Sequence, residues 1–337
     1  MQTPPSPDDG EYQKFITPRK SEQTSERSKP AAGACRTCPS NETNLLRASF
    51  VMLAASILLL GFDITTLRQG KNAPPTLKPT QDELPKTNAV PCSKQDVASL
   101  GQQGLLKSQS KEDEQLLDWF NGLCNGTYIE IGALDGERLS NSYVFNAALG
   151  WKGVLIELGS TNFAKLKDNR PNELAVVNAA VCNERQTVHF VAGNEVGGIY
   201  EFTSPSFRAR HKTWTNKTAD NTEEIECYPM RDILIERAPE ISHYDFFSLD
   251  VEGAEYEVLR STNFDRTTFG VIFVEASRHD PKKNEAVKEF LINKGYSFLK
   301  EDKRSYWFLH EEFEKIYGLQ EVTQTSSFRS GAVKGRL

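Results

Sequence analysis

The feature that most restricts the fold is an alternation that begins near residue 127. Short apolar, β-branched runs recur at Thr127–Ile131, Gly153–Ile156, Leu174–Ala180, Phe246–Leu249 and Val271–Val274. Helical patterns such as Asn141–Leu149 and Glu255–Arg260 stand between several of them. Strands apolar on both faces that alternate with helices imply a parallel sheet covered on each side. Tyr296–Leu299 and Tyr306–Leu309, separated by the charged segment Lys300–Ser305, read as a closing antiparallel hairpin. The expected architecture is therefore α/β, a doubly wound, Rossmann-like sheet of about seven strands ending in a hairpin. Ahead of it, Lys111–Leu123 places Leu116, Leu117, Phe120 and Leu123 on one helical stripe.

The rest of the 337 residues divides by composition. Residues 1–44 are rich in Pro, Ser, Thr, Lys and Glu without an apolar period, and read as a disordered tail. The uncharged run from Ala48 to Phe62, extended to residues 45–64, reaches the ~30 Å needed to span a bilayer. It reads as a transmembrane helix, with the N-terminus in the cytosol. Residues 65–91 repeat Pro, Lys and small polar residues, as a stalk would. The folded domain is expected over 92–317, and a flexible tail over 318–337. Cys92, Cys124, Cys182 and Cys227 form an even set beyond the span, where the most economical pairing is Cys92 with Cys124 and Cys182 with Cys227, one of three connectivities. Asn125-Gly-Thr and Asn216-Lys-Thr are glycosylation acceptors if that side is lumenal. A net charge of −6, with no basic stretch interleaved with aromatics, argues against a nucleic-acid partner.

The chemistry concentrates at strand ends. The first strand runs into Glu130, Gly132 and Gly136, an E-x-G-x-x-x-G pattern without GxGxxG. Glycines there admit a ligand close to the backbone. Glu130 and Asp135 would attract a cationic ligand and repel a pyrophosphate. Glu157 ends the second strand, where a carboxylate can accept hydrogen bonds from ribose hydroxyls. Asp250, Glu252 and Glu255 crowd three acids behind the fourth strand, and Glu275 ends the fifth. Such crowding is costly without a cation, a hydroxyl donor or a shared proton. Glu255 equally suits the first turn of a helix. No His or Cys spacing supports a metal site, and His189 and His243 read as structural.

The stretches YIEIGALDGERLSNSYVF, LGWKGVLIELGSTNFAKLKDNRP and DFFSLDVEGAEYEVLR resemble the FkbM family of methyltransferases over about Tyr128–Phe313. The resemblance implies a class I methyltransferase fold, S-adenosyl-L-methionine as cofactor and O-methylation of a hydroxyl on a glycan or small molecule. It implies cofactor contacts at Glu130, Gly132, Ala133, Asp135, Gly136, Glu157 and Asp250. Asp250, Glu252 or Glu275 would act as base or position the acceptor. The family's proline after the second-strand acid is Leu158 here. The anchored arrangement also resembles animal Star-type proteins, single-pass relatives that act in trafficking of secreted cargo. That likeness implies a Golgi or endoplasmic-reticulum membrane protein with a lumenal domain, and leaves a non-catalytic trafficking or cargo-binding module as the alternative. A nicotinamide oxidoreductase is the remoter rival, disfavoured by the missing GxGxxG.

Overall fold

A computed structural model describes residues 84–276 and 280–318, all within one compact unit. In chain order its elements are β1 (Val90–Pro91), α1 (Val97–Gln102), α2 (Glu112–Phe120), β2 (Leu123–Cys124), β3 (Thr127–Ile131), α3 (Tyr143–Leu149), β4 (Lys152–Glu157), α4 (Ser160–Asn169), β5 (Ala175–Asn178), β6 (Ala180–Val181) and β7 (Gln186–Val191). There follow β8 (Gly198–Ile199), α5 (Pro205–Arg210), β9 (Glu223–Tyr228), α6 (Met230–Arg237), β10 (His243–Leu249), α7 (Glu255–Ser261), β11 (Thr268–Glu275), α8 (Pro281–Ile292), β12 (Tyr296–Asp302), β13 (Ser305–His310) and α9 (Phe313–Tyr317).

Seven strands form the main sheet in the order β12-β13-β11-β10-β3-β4-β5. The pairs β3–β4, β4–β5, β3–β10 and β10–β11 are parallel, whereas β13 is antiparallel to both β11 and β12. This is the methyltransferase-like α/β arrangement with its closing hairpin. The chain winds outward one way from β3 and the other way from β10, so a crevice opens beyond the carboxyl ends of these adjacent strands.

Alternation along the strands splits the core in two. Ile129, Ile131, Val154, Ile156, Phe247, Leu249, Ile272 and Val274 pack on one face with α6, α7 and α8. Tyr128, Leu155, Phe246, Val271, Phe273 and Trp307 pack on the other with Leu116, Leu117 and Phe120 of α2. The expected apolar stripe of α2 is thus the surface it buries, and acids fill its first turn. Gly150, at φ +70°, stops α3 in the left-handed conformation that glycine adopts at least cost.

Three sequence expectations are corrected. The run Leu174–Ala180 is two strands, because the chain leaves the main sheet after Asn178 and enters another at Ala180. Residues 192–227, which Gly193, Gly197 and Gly198 make look like a loop in the sequence, contribute β8 and all but the last residue of β9 to a four-stranded sheet ordered β6-β9-β7-β8, with α5 between them. The alternation in Glu-Glu-Ile-Glu-Cys-Tyr (residues 223–228) carries that signal, but its antiparallel partner β7 lies far upstream. The hairpin turn is only Lys303 and Arg304, and a register shift between Phe298 and Lys300 sets the preceding pairing.

Both expected disulfides, Cys92–Cys124 and Cys182–Cys227, are formed. The first lies beside the β1–β2 pair, and the second joins the beginning of the small sheet to β9. Ordered contacts begin ahead of Cys92, since Thr87 Oγ1 hydrogen-bonds the buried Asp245 carboxylate. Among the described residues no helix is long and apolar enough to cross a membrane. The tail 1–44, the apolar run 45–64, most of the stalk and the tail beyond 318 lie outside the described residues.

Candidate active site

Parallel register aligns the strand ends. Ile131 pairs with both Ile156 and Leu249, and Leu249 with Val274, so Gly132, Glu157, Asp250 and Glu275 emerge along one edge. A cavity of about 1250 Å³ sits there, and Glu130, Gly132, Glu157, Asp250, Glu252 and Glu275 all line it.

Backbone geometry explains Gly132. Its φ is +82°, and a Cβ there would stand 2.0 Å from the Asp250 carbonyl oxygen. Any side chain would force β3 and β10 apart at the cavity floor. The glycine loop is pinned from β4: Gly132 and Ala133 donate to the Ile156 carbonyl at 3.0 and 3.2 Å. The Leu134 amide donates to Glu157 Oε2 at 2.9 Å, and the Gly159 amide to Oε1 at 2.7 Å. The Asn162 side chain bonds the same carboxylate, which leaves acceptor capacity for one further donor. Burial pushes the Glu157 carboxyl up to about 7, against the lowering effect of the two amides and the Asn162 side chain.

Other residues assigned to the ligand serve the loop itself. Glu130 accepts from Ser140 Oγ at 2.9 Å, from the Asn141 amide at 2.7 Å and from Ser142 Oγ. Its carboxylate therefore ties β3 to the start of α3. Ala133 is buried among apolar side chains and does not line the cavity. Asp135, also away from the lining, accepts from the Glu137 and Arg138 amides at 3.1 and 2.8 Å and closes a turn. Gly136, at φ +79°, is required by packing, because a Cβ would lie 2.5 Å from Leu166 Cδ1. Of these expected cofactor contacts Ala133, Asp135 and Gly136 do not line the cavity, whereas Glu130 does, with its carboxylate bonded to the start of α3.

Sequence reasoning missed Asn141. Its Nδ2 donates to Ser248 Oγ at 2.9 Å, while its Oδ1 is buried without a hydrogen-bond partner in a residue lining the cavity. An unmet buried acceptor is costly unless a ligand donor meets it. The signal was unavailable in the sequence because it depends on the fold bringing Asn141 to Ser248 across strands.

The acids beyond β10 form one cluster. Ligand oxygens of Asp250, Glu255 and Glu275 lie within 4.8 Å of one another, close enough to hold a cation. Two of the three have protein cations already: Lys283 bonds Glu255, and Arg304 bonds Glu275. The proximity arises from two strand ends and a helix start, a juxtaposition that His or Cys spacing could not reveal. Glu255 is fully buried and also accepts the Gly253 amide at 3.1 Å, so it both opens α7 and braces the preceding turn. Asp250 is driven well above the carboxylate range by burial, then by Glu275, Glu252 and Glu255. Glu252 rises to about 9, from burial first and then Glu275 and Glu255. Its backbone adopts φ +54°, a left-handed conformation costing about 1–2 kcal/mol outside glycine. Strain and crowded acids coincide at one turn, as they do at functional sites.

These shifts have a testable sign. A carboxyl raised in the folded state stabilises below its unfolded value of 4.5, and that contribution is lost as pH rises through the folded value. The ligand-free domain is expected to lose stability through about pH 7 for Glu157 and about pH 9 for Glu252. Urea midpoints measured across pH should fall accordingly, and Glu252→Gln should flatten the alkaline part. A midpoint rising with pH would contradict the cluster's repulsion.

His243 and His189 sit outside this chemistry. His243 is buried between Thr268 and Tyr317, and burial lowers it to about 3. His189 pairs with Glu201 on the small sheet.

The Methyltransferase FkbM domain pattern matches residues 130–298, half of the chain. No curated protein matches in sequence. Among solved structures, a methyltransferase FkbM from Methylobacillus flagellatus KT is 13% identical with a TM-score of 0.34, the alignment covering 55% of this chain and 43% of that one. The chain thus spans less than half of that protein's length. A TehB-like SAM-dependent methyltransferase from Corynebacterium glutamicum is 12% identical with a TM-score of 0.30, covering 63% and 93%. A SAM-dependent methyltransferase from Aquifex aeolicus is 12% identical with a TM-score of 0.29, covering 64% and 96%. With strand-end acids around one cavity and a family pattern spanning β3 to β12, the chain belongs to the FkbM methyltransferase family.

Proposed function

We propose that the protein is an S-adenosylmethionine-dependent O-methyltransferase acting on a hydroxyl of a glycan or small molecule. The observation that carries the reading is the convergence of Gly132, Asn141, Glu157 and Asp250 on one cavity at the sheet's topological switch. The donor set fits the cofactor. Asn141 Oδ1 lacks a donor that an ammonium group could provide. The remaining acceptor capacity of Glu157 suits a ribose hydroxyl, and the acids suit a sulfonium charge.

When bound, the cofactor supplies a sulfonium methyl: the acceptor oxygen–carbon bond forms, the sulfur–carbon bond breaks, and the acceptor's proton leaves to a base. The chain's contribution is alignment, exclusion of water and that base. Asp250 is assigned the proton: a cationic ligand beside it favours its ionised form, and a carboxylate made more basic by burial and by its neighbouring acids, with Glu252 and Glu275 beside it, can then take the acceptor's proton. Glu157, Asn141 and the glycine loop hold the cofactor.

The domain is assigned to the lumen of the secretory pathway, anchored by residues 45–64. Two disulfides suit an oxidising compartment. Both sequon asparagines, Asn125 and Asn216, are exposed and open to glycosylation.

Calorimetry with S-adenosylmethionine, followed by transfer of its labelled methyl to lumenal extracts, tests the reading. Saturable binding and labelled product are expected, and absence of binding would return the chain to the trafficking or cargo-binding alternative. Asn141→Ala should weaken cofactor binding about tenfold and lower the melting temperature only modestly, since its Oδ1 bonds nothing in the ligand-free protein and the one side-chain bond lost is that of Nδ2 to Ser248 Oγ. Unchanged affinity would remove Asn141 from the site.

A further inference from the structure

The cavity has room for more than a cofactor. Its volume of about 1250 Å³ exceeds the about 300–1,000 Å³ of a pocket for one drug-sized ligand. The ends of β3 and β4 line one part, and the small sheet with α5 lines another. The second part is built directly against the acids. Thr203 Oγ1 hydrogen-bonds the Glu252 carbonyl oxygen at 3.1 Å, and a Cβ on Gly198 would lie 3.6 Å from Glu252 Cβ. A Cβ on Gly253 would lie 2.7 Å from the Phe202 carbonyl oxygen. An acceptor whose reacting oxygen reaches Asp250 therefore has this wall beside it.

The wall carries a ring platform and one uncommitted cation. The Phe207 and His211 rings lie 4.3 Å apart at 31°, both partly buried and both lining the cavity. Trp214, fixed by its Nε1 bond to the Val196 carbonyl at 2.8 Å, meets Phe207 edge-on from behind. Arg210 lines the cavity, is exposed and makes no hydrogen bond or ion pair with the described residues. Its neighbour Arg208 is committed to the Tyr200 carbonyl and ring. On the opposite side Lys303 bonds the Ser110 carbonyl, and Arg304 bonds Gln109 and Glu275. The wall's acids do not cancel Arg210: Glu195 is paired with Arg138, and no ion pair joins Glu223 to Arg210.

We infer that the acceptor is an anionic ring compound, with its ring against Phe207 and His211 and its carboxylate or phosphate on the Arg210 guanidinium. A guanidinium fork matches either oxyanion in a bidentate bond, and an aromatic face contributes contact area at low entropic cost. This rests on the methyltransferase reading.

The full-length protein is first titrated with S-adenosylmethionine. It is then given the methyl-labelled cofactor and three acceptor pools: neutral oligosaccharides, uronic-acid oligosaccharides and phosphorylated sugars. Label is expected in an anionic pool at about tenfold or more over the neutral one, and the pool that labels identifies the anion. Arg210→Gln should raise the acceptor KM by about tenfold without changing the cofactor Kd, and Arg210→Lys should recover part of it. Equal labelling of the neutral pool overturns the inference. So does an unchanged KM in Arg210→Gln, or no label in either anionic pool from protein that binds cofactor. Failure of the unaltered protein to bind cofactor overturns instead the methyltransferase reading beneath it.

Discussion

Replacement of Asp250 by Asn is expected to lower kcat by about 10²–10⁴-fold and, in the same protein, to raise the melting temperature of the ligand-free domain. The two effects share one cause. Asp250 is crowded by Glu252, Glu255 and Glu275, and burial together with those charges holds its carboxyl well above the usual range. Asparagine keeps the shape but cannot take the acceptor's proton, so transfer slows. It also removes a group whose ionisation is opposed by three neighbours, so the cluster relaxes. Cofactor affinity should change less than kcat, because the contacts proposed for the adenosine and amino ends, Glu157 and Asn141, lie on other segments of the chain. Single-turnover methyl transfer, calorimetric melting and cofactor titration on one preparation check all three. A variant that transfers normally would move the base to Glu252 or Glu275, and one that melts lower would show Asp250 to be a structural partner.

The sequence revealed more of the sheet than of the site. Near-continuous apolar strands alternating with helices are a local signal, and the strand ends followed from it to within a few residues. Glu157 and Asp250 were recognisable because they stand at those ends. What the sequence concealed depended on distant pairing. The small sheet joins strands as short as Ala180–Val181 and Gly198–Ile199 to β7 and β9, and a two-residue strand has no period to read. The same limit explains Glu130 and Asp135. An acid beside a glycine loop looks alike whether it meets a ligand or the loop's own amides, and only the fold brings Ser140, Asn141 and Ser142 onto Glu130. Asp135 is occupied by amides two and three residues ahead, a turn that uses acids as readily as a ligand site does.

Arg170 is the position whose loss should cost most stability. Its side chain is 1% exposed and that of its partner Glu173 0%, with the two 2.6 Å apart. The guanidinium also donates to the Gly136 carbonyl at 2.8 Å, Tyr128 OH at 2.6 Å, Ser142 Oγ at 3.0 Å and Ser140 Oγ at 3.3 Å. Glu173 in turn accepts from Tyr128 OH at 2.7 Å and the Gly153 amide at 2.6 Å. One buried cation thus joins β3, β4 and the carbonyl that shapes the glycine loop, through the same serines that satisfy Glu130. Arg170→Met should destabilise the domain by about 3–5 kcal/mol, because it leaves an uncompensated carboxylate in the interior. The double variant Arg170→Met/Glu173→Leu removes both charges and should recover a substantial part of that loss in urea unfolding. Cofactor affinity should not recover with it, since the Gly136 carbonyl and the two serines still lack their donor. If stability and affinity return together, the guanidinium matters only as the counter-charge of Glu173, and the cofactor loop holds its shape without it.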